Sequence, residues 1–143
     1  MQIGVLALQG DFREHRKVVE EMGSSTCLVR RPEDLDEIDG LIMPGGESTT
    51  ISKLLRKWEL FDPLREQARE GLPVFGTCAG LILLAREVQT GPPVLELMDI
   101  TVERNSYGRQ IESFESRLEV SDGWADGALK GVFIRAPRVK RVG

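Results

Sequence analysis

Histidine, cysteine and aromatic side chains are scarce in this chain. One histidine and two cysteines, Cys27 and Cys78, cannot supply the ligand spacing of a zinc site. Nothing else in the sequence calls for a metal or a cofactor, and so small a thiol content fits a reducing compartment. No apolar run approaches the roughly 20 residues needed to cross a bilayer. The opening M-Q-I-G-V lacks a basic stretch followed by a long apolar core, so no secretory signal is expected and a cytoplasmic location follows. Positive charge is in deficit as well. A net charge of −4 and a pI near 5.1 argue against an extended nucleic-acid surface. Arg135, Arg138, Lys140 and Arg141 form a local basic cluster that reads as a solvated segment rather than a phosphate site. Internal repeats and low-complexity segments are absent.

What is present suits one α/β domain over residues 1–143, long enough to bury a real core. Hydrophobic residues make up 41% and charged residues 29%, with 15 glycines. Residues 3–8 form a short apolar run, a buried strand feeding the loop at Gln9 and Gly10. Asp11 has the place of an N-cap, with Glu14 completing a capping box. Phe12, His15, Val18, Val19 and Met22 then share one helical face that Gly23 can end. Strands are expected at 27–29 and 41–43, with a loop or turn at 31–34 between them. The second strand is stopped by Pro44-Gly45-Gly46, and a helix follows bearing Ile51, Leu54 and Leu55. A further helix is expected over 61–70, ending at Gly71, then a strand at 74–75 and a helix from Ala79 to about Arg86. This alternation implies βαβ units with a parallel sheet and loops of interest at the carboxyl ends of its strands. Beyond Pro93 the pattern shifts to short strands at 100–103, 110–113, 117–120 and 132–134.

Cys78 is the residue best suited to chemistry. Gly76-Thr77-Cys78-Ala79-Gly80 has the G-x-nucleophile-x-G form of a nucleophile elbow, in which a strained turn between strand and helix leaves the central side chain accessible. A helix N-terminus favours the thiolate, which is the reactive form. The competing reading is a small buried residue at a tight turn. An acyl-transferring thiolate also needs oxyanion donors, and the amides of Ala79 and of Gly46 are the nearest sources in the expected fold.

Six ordered segments together resemble one family: G-V-L-A-L-Q-G at 4–10, P-G-G-E-S-T-T at 44–50, F-G-T-C-A-G at 75–80, R-N-S-Y-G-R-Q at 104–110, S-F-E at 113–115 and G-V-F-I-R-A-P at 131–137. They closely resemble the glutaminase subunit of pyridoxal 5′-phosphate synthase, which has the flavodoxin-like, three-layer class I glutamine amidotransferase fold around a mostly parallel central sheet. The resemblance implies that Cys78 attacks the side-chain amide of L-glutamine, releases ammonia and forms a glutamyl thioester that water hydrolyses. It implies glutamine contacts from Gly46, Glu47, Ser48, Arg104, Ile134 and Arg135. Glu47 suits an α-ammonium, and Arg104 or Arg135 an α-carboxylate. Read on spacing alone, Glu47 is equally an early-helix acid and either arginine a surface ion-pair member. The implied partner is a (β/α)8-barrel synthase subunit, on which the glutaminase works when docked; Gln9 and Gly10 shape that interface or the oxyanion loop, with a plain β-turn as the competing account.

The sequence departs from the family's pattern in two places. The family's triad takes a histidine and a glutamate from a His-Pro-Glu motif, which these 143 residues do not contain, so the C-terminal closing segment is expected to be missing. His15, the only histidine, is expected on the first helix, packed against the sheet or a partner rather than acting as the base. That departure keeps open a catalytically silent subunit that binds the barrel and regulates it. A class I amidotransferase serving a different synthase is a third reading, which the segments at 104–110 and 131–137 argue against. Glu96, where the family tends to have glycine, puts only a local turn in question.

Overall fold

The computed structural model describes residues 1–92, 94–105, 113–118 and 129–143. Four strands, β1 (Gln2–Leu6), β2 (Ser25–Val29), β3 (Gly40–Met43) and β4 (Val74–Gly76), form one parallel sheet in the order β2-β1-β3-β4. That is the flavodoxin-like order, and its direction reverses between β1 and β3. Four helices occupy the crossovers and the end of β4: α1 (Phe12–Glu21), α2 (Ser48–Lys57), α3 (Phe61–Glu70) and α4 (Ala79–Leu84). The core gathers Leu6, Val29, Met43, Ile51, Leu55, Leu64, Leu83 and Leu95, all at most 1% exposed.

Each helix end follows from local chemistry, with two departures from expectation. Gly71 ends α3 in the left-handed region at φ 118°. Asp11 makes no side-chain cap bond to α1, so the capping box does not form. Its backbone departs from the extended geometry a cap needs, and its N–H donates to Gly45 O at 3.1 Å instead. On α1 the apolar face is only half covered, since Phe12, His15 and Val19 are partly buried while Val18 and Met22 are exposed. The helix expected to reach Arg86 stops at Leu84. The amides of Leu95 and Leu97 take the carbonyls of Leu83 and Leu84 at 2.7 and 3.0 Å, and Ala85 turns extended.

That turn begins β5 (Ala85–Gln89), which pairs in parallel with β6 (Met98–Glu103); β9 (Arg138–Val142) lies antiparallel on the far side of β6. The basic cluster is solvated as expected, and all of it but Arg135 lies on the exposed strand β9. Arg141 meets Asp99 at 3.0 Å and Lys140 meets Glu103 at 3.6 Å along this strand. A hairpin of β7 (Phe114–Leu118) and β8 (Leu129–Phe133) stacks Phe114 on Phe133, with ring centroids 4.7 Å apart. These two strands replace those expected at 117–120 and 132–134. The strand expected at 110–113 falls mostly outside the described residues, and Ser113 is not in a strand. Strand β1 ends two residues before expectation, and a 3₁₀ turn at Pro32–Leu35 fills the loop between β2 and β3. Glu96 adopts φ 57°, a conformation glycine takes without strain, and its carboxylate pairs with Arg65 at 2.8 Å.

No helix among the described residues is long and apolar enough to cross a membrane. Replacing Leu83, which is fully buried under the elbow, with alanine is expected to cost about 2–5 kcal/mol in urea unfolding. Val18→Ala, at a side chain 54% exposed, is expected to stay within about 0.5 kcal/mol.

Candidate active site

Three strand ends meet at the reversal of the sheet. The loop after β1 brings Gln9, Gly10 and Asp11; the loop after β3 brings Gly45, Gly46 and Glu47; β4 delivers Cys78. Cys78 sits at φ 47° and ψ −102°, a conformation non-glycine residues rarely hold and which costs about 1–3 kcal/mol. Its turn is possible because the flanking glycines allow α4 to cross close over β3 and β4. A Cβ on Gly76 would lie 2.6 Å from the Gly80 carbonyl carbon, and one on Gly80 would lie 2.1 Å from Met43 O. The spacing G-x-C-x-G is thus a packing requirement on both sides of Cys78.

One peptide plane sets how the loop after β3 faces Cys78. In a trans peptide the C=O and the following N–H point in opposite directions. Because Gly45 C=O is held by the amide of Asp11, the amide of Gly46 is turned the other way, toward Cys78, where it favours the thiolate. The amide of Ala79 does the same from the first turn of α4. The loop after β1 presses on this plane from behind. Gly10 holds φ 105°, and a Cβ there would lie 1.9 Å from Gly45 O, while Gln9 Oε1 accepts from the amide of Glu47 at 2.9 Å. Gln9 and Gly10 therefore brace the loop after β3 directly.

Thiol ionisation runs against the sequence expectation. Burial pushes the Cys78 thiol above the ordinary cysteine range; the amide of Ala79 pulls it down, the Asp11 carboxylate pushes it up, and Arg135 and the amide of Gly46 pull it down. Burial prevails over the helix N-terminus, so the resting thiol is protonated at neutral pH. Cys27 is likewise raised, first by burial. Both cysteines are free.

The remaining residues divide into those brought together and those set apart. Glu47 caps α2: Oε1 accepts from the amide of Thr49 at 3.1 Å and from Arg104 Nη2 at 3.2 Å, and Oε2 accepts from the amide and hydroxyl of Thr50, both at 2.8 Å. Burial pushes its carboxyl up, yet the bonds from Thr50 and Thr49 outweigh this and leave it below the usual glutamate range. The helix-acid and ion-pair readings of Glu47 and Arg104 therefore both describe this state. Ser48 Oγ, on a residue 2% exposed, has no hydrogen-bond partner among the described residues. Arg135 stands at φ 48°, near enough to act on Cys78, beside a half-exposed Ile134. Tyr107 and the rest of the 106–110 segment lie outside the described residues. His15 does more than pack: its Nε2 lies 3.0 Å from Thr77 Oγ1, next to Cys78, and 4.0 Å from Asp11 Oδ2. Sequence spacing gave no sign of that pairing, which joins residues 62 positions apart. Among the described residues no three His, Cys, Asp or Glu side chains gather in a metal-holding group. An open groove between α1 and β2, lined by Phe12, Arg13, Lys17 and Arg30, contains no nucleophile.

Alkylation of Cys78 by iodoacetamide, followed against pH, is expected to inflect above the value of about 8.5 of a free thiol. Asp11→Asn, which removes the charge that raises the thiol, is expected to move that inflection down.

The SNO glutamine amidotransferase family matches residues 5–143. The pyridoxal 5′-phosphate synthase subunit PdxT of Mycobacteroides abscessus is 56% identical over 99% of this chain and 74% of its own length. Its counterpart from Pelotomaculum thermopropionicum is 55% identical over 100% of this chain and 73% of its own. A crystal structure of a glutamine amidotransferase, 50% identical, superposes with a TM-score of 0.90 over 99% of this chain and 75% of that one. A strained cysteine elbow facing two amides, on a sheet of this order and with relatives this similar, makes the chain a member of the SNO glutamine amidotransferase family.

Proposed function

We infer that the chain is the glutaminase subunit of a pyridoxal 5′-phosphate synthase, hydrolysing L-glutamine to glutamate and ammonia. The observation that carries the reading is the convergence of the Gly46 and Ala79 amides on the sulfur of Cys78. In this reading the sulfur bonds to the side-chain carbonyl carbon of glutamine, and the oxygen that gains charge is held by those two amides. The C–N bond then breaks, with the thiol proton passing to the departing nitrogen, and ammonia leaves a glutamyl thioester. Water adds to the thioester carbon, the C–S bond breaks, and glutamate and the free thiol are regenerated.

Gly46, Glu47, Ser48, Arg104, Ile134 and Arg135 line the substrate's place in this proposal. All four acceptor positions of the Glu47 carboxylate are engaged, one of them by Arg104. The α-ammonium of glutamine takes over the bond at Oε1, and Arg104, released, meets the α-carboxylate. The unpartnered hydroxyl of Ser48 supports a polar ligand beside it. The ammonia passes to a barrel-fold synthase subunit, with which the chain forms a hetero-oligomer, working in the cytoplasm as a single domain. A silent regulatory subunit is not favoured, because a binding module has no use for the strained backbone at Cys78.

The test is ammonia release from glutamine with the barrel subunit present. Cys78→Ala is expected to abolish release while leaving complex formation intact, and Arg104→Gln to raise KM by about 10- to 100-fold, as for a lost charged hydrogen bond. Complex formation by the unaltered chain without any ammonia release would sink the enzyme reading.

A further inference from the structure

One end of helix α1 touches both halves of the site. The Asp11 amide holds Gly45 C=O at 3.1 Å on the oxyanion side, and one turn later His15 Nε2 lies 3.0 Å from Thr77 Oγ1 on the nucleophile side. Thr77 is itself pinned to the sheet, its amide donating to Met43 O at 3.0 Å and its carbonyl accepting from Gly80 at 2.8 Å. Residues 11 and 15, four apart, share one helix face, so one rigid body holds both loops, in addition to the Thr77–Met43 bond and the approach of the Gly46 amide to Cys78 that link them directly. The His15 side chain is only 22% exposed, and its ring and the Thr77 hydroxyl can each act as donor or acceptor.

We propose that His15 is a positioning residue for glutamine hydrolysis: through Thr77 it locks the nucleophile elbow to helix α1, which also holds the oxyanion loop, and so keeps the Cys78 sulfur in register with the amides of Gly46 and Ala79. The inference rests on the glutaminase reading for its effect on turnover, while its effect on the thiol stands without that reading. Misplacement of a reacting atom by about 1 Å can cost up to about 100-fold in rate.

The experiment compares His15→Leu, His15→Gln, Thr77→Val and the Leu/Val double variant in two assays: kcat and KM for glutamine hydrolysis with the barrel subunit, and the rate of Cys78 alkylation by iodoacetamide in the chain alone. Folding of each variant is checked by its thermal midpoint. His15→Leu is expected to lower kcat about tenfold with KM within about twofold, and to slow alkylation about threefold. His15→Gln, whose amide can replace the ring nitrogen, restores most of both rates. Thr77→Val reproduces the loss, and the double variant is no worse than either single. An unchanged alkylation rate in His15→Leu and Thr77→Val, equal losses in the Leu and Gln variants, or losses that multiply in the double variant would overturn the proposal. If the unaltered chain releases no ammonia, the functional reading fails, and the alkylation series still decides the role of His15.

Discussion

The hydrogen bond from the Asp11 amide to the Gly45 carbonyl is the constraint on which the rest of the site depends. It joins the ends of β1 and β3 across the point where the sheet reverses, and it fixes which way the next amide faces. With that carbonyl held, Gly46 N–H is presented to Cys78 before any ligand arrives. Donors oriented in advance need no reorganisation when charge develops, which is where preorganised sites gain most. The close approach of Gly10 to Gly45 O explains why the neighbouring loop carries no side chain at that point.

Burial and charge at Cys78 pull in opposite directions, and the balance has a chemical meaning. Burial first, and the Asp11 carboxylate after it, keep the thiol protonated; the two amides and Arg135 favour the anion. The two amides that favour the thiolate reach it from two different segments, the elbow itself and the loop after β3. Asp11 therefore contributes through its main chain to order in the oxyanion loop while its carboxylate discourages premature ionisation.

Much of this was legible in the sequence. The G-x-C-x-G spacing, the apolar runs at β1 to β4 and the glycine stop of α3 place the sheet and the strained turn at Cys78, because each reports local backbone demands. What sequence misjudged depends on partners far along the chain. Asp11 has the composition of an N-cap but is claimed by Gly45, and α4 is apolar enough to continue but loses its carbonyls to Leu95 and Leu97. The helix N-terminus at Cys78 favours a thiolate, yet the burial that outweighs it is set by packing that no motif encodes. The His15–Thr77 pair has no local signature, and it emerges only from the crossover that lays α1 over the strand ends.

The central proposal is that Cys78, rather than Cys27, is the thiol that meets glutamine. Both thiols are free and partly buried, and both are raised by burial, so bulk reactivity does not distinguish them. Treatment with a chloroketone analogue of glutamine, followed by peptide mass analysis, separates a built site from an accessible thiol. The expected result is modification of Cys78 alone, with excess glutamine giving protection; equal labelling of both cysteines, or labelling of Cys78 that glutamine does not slow, would contradict it.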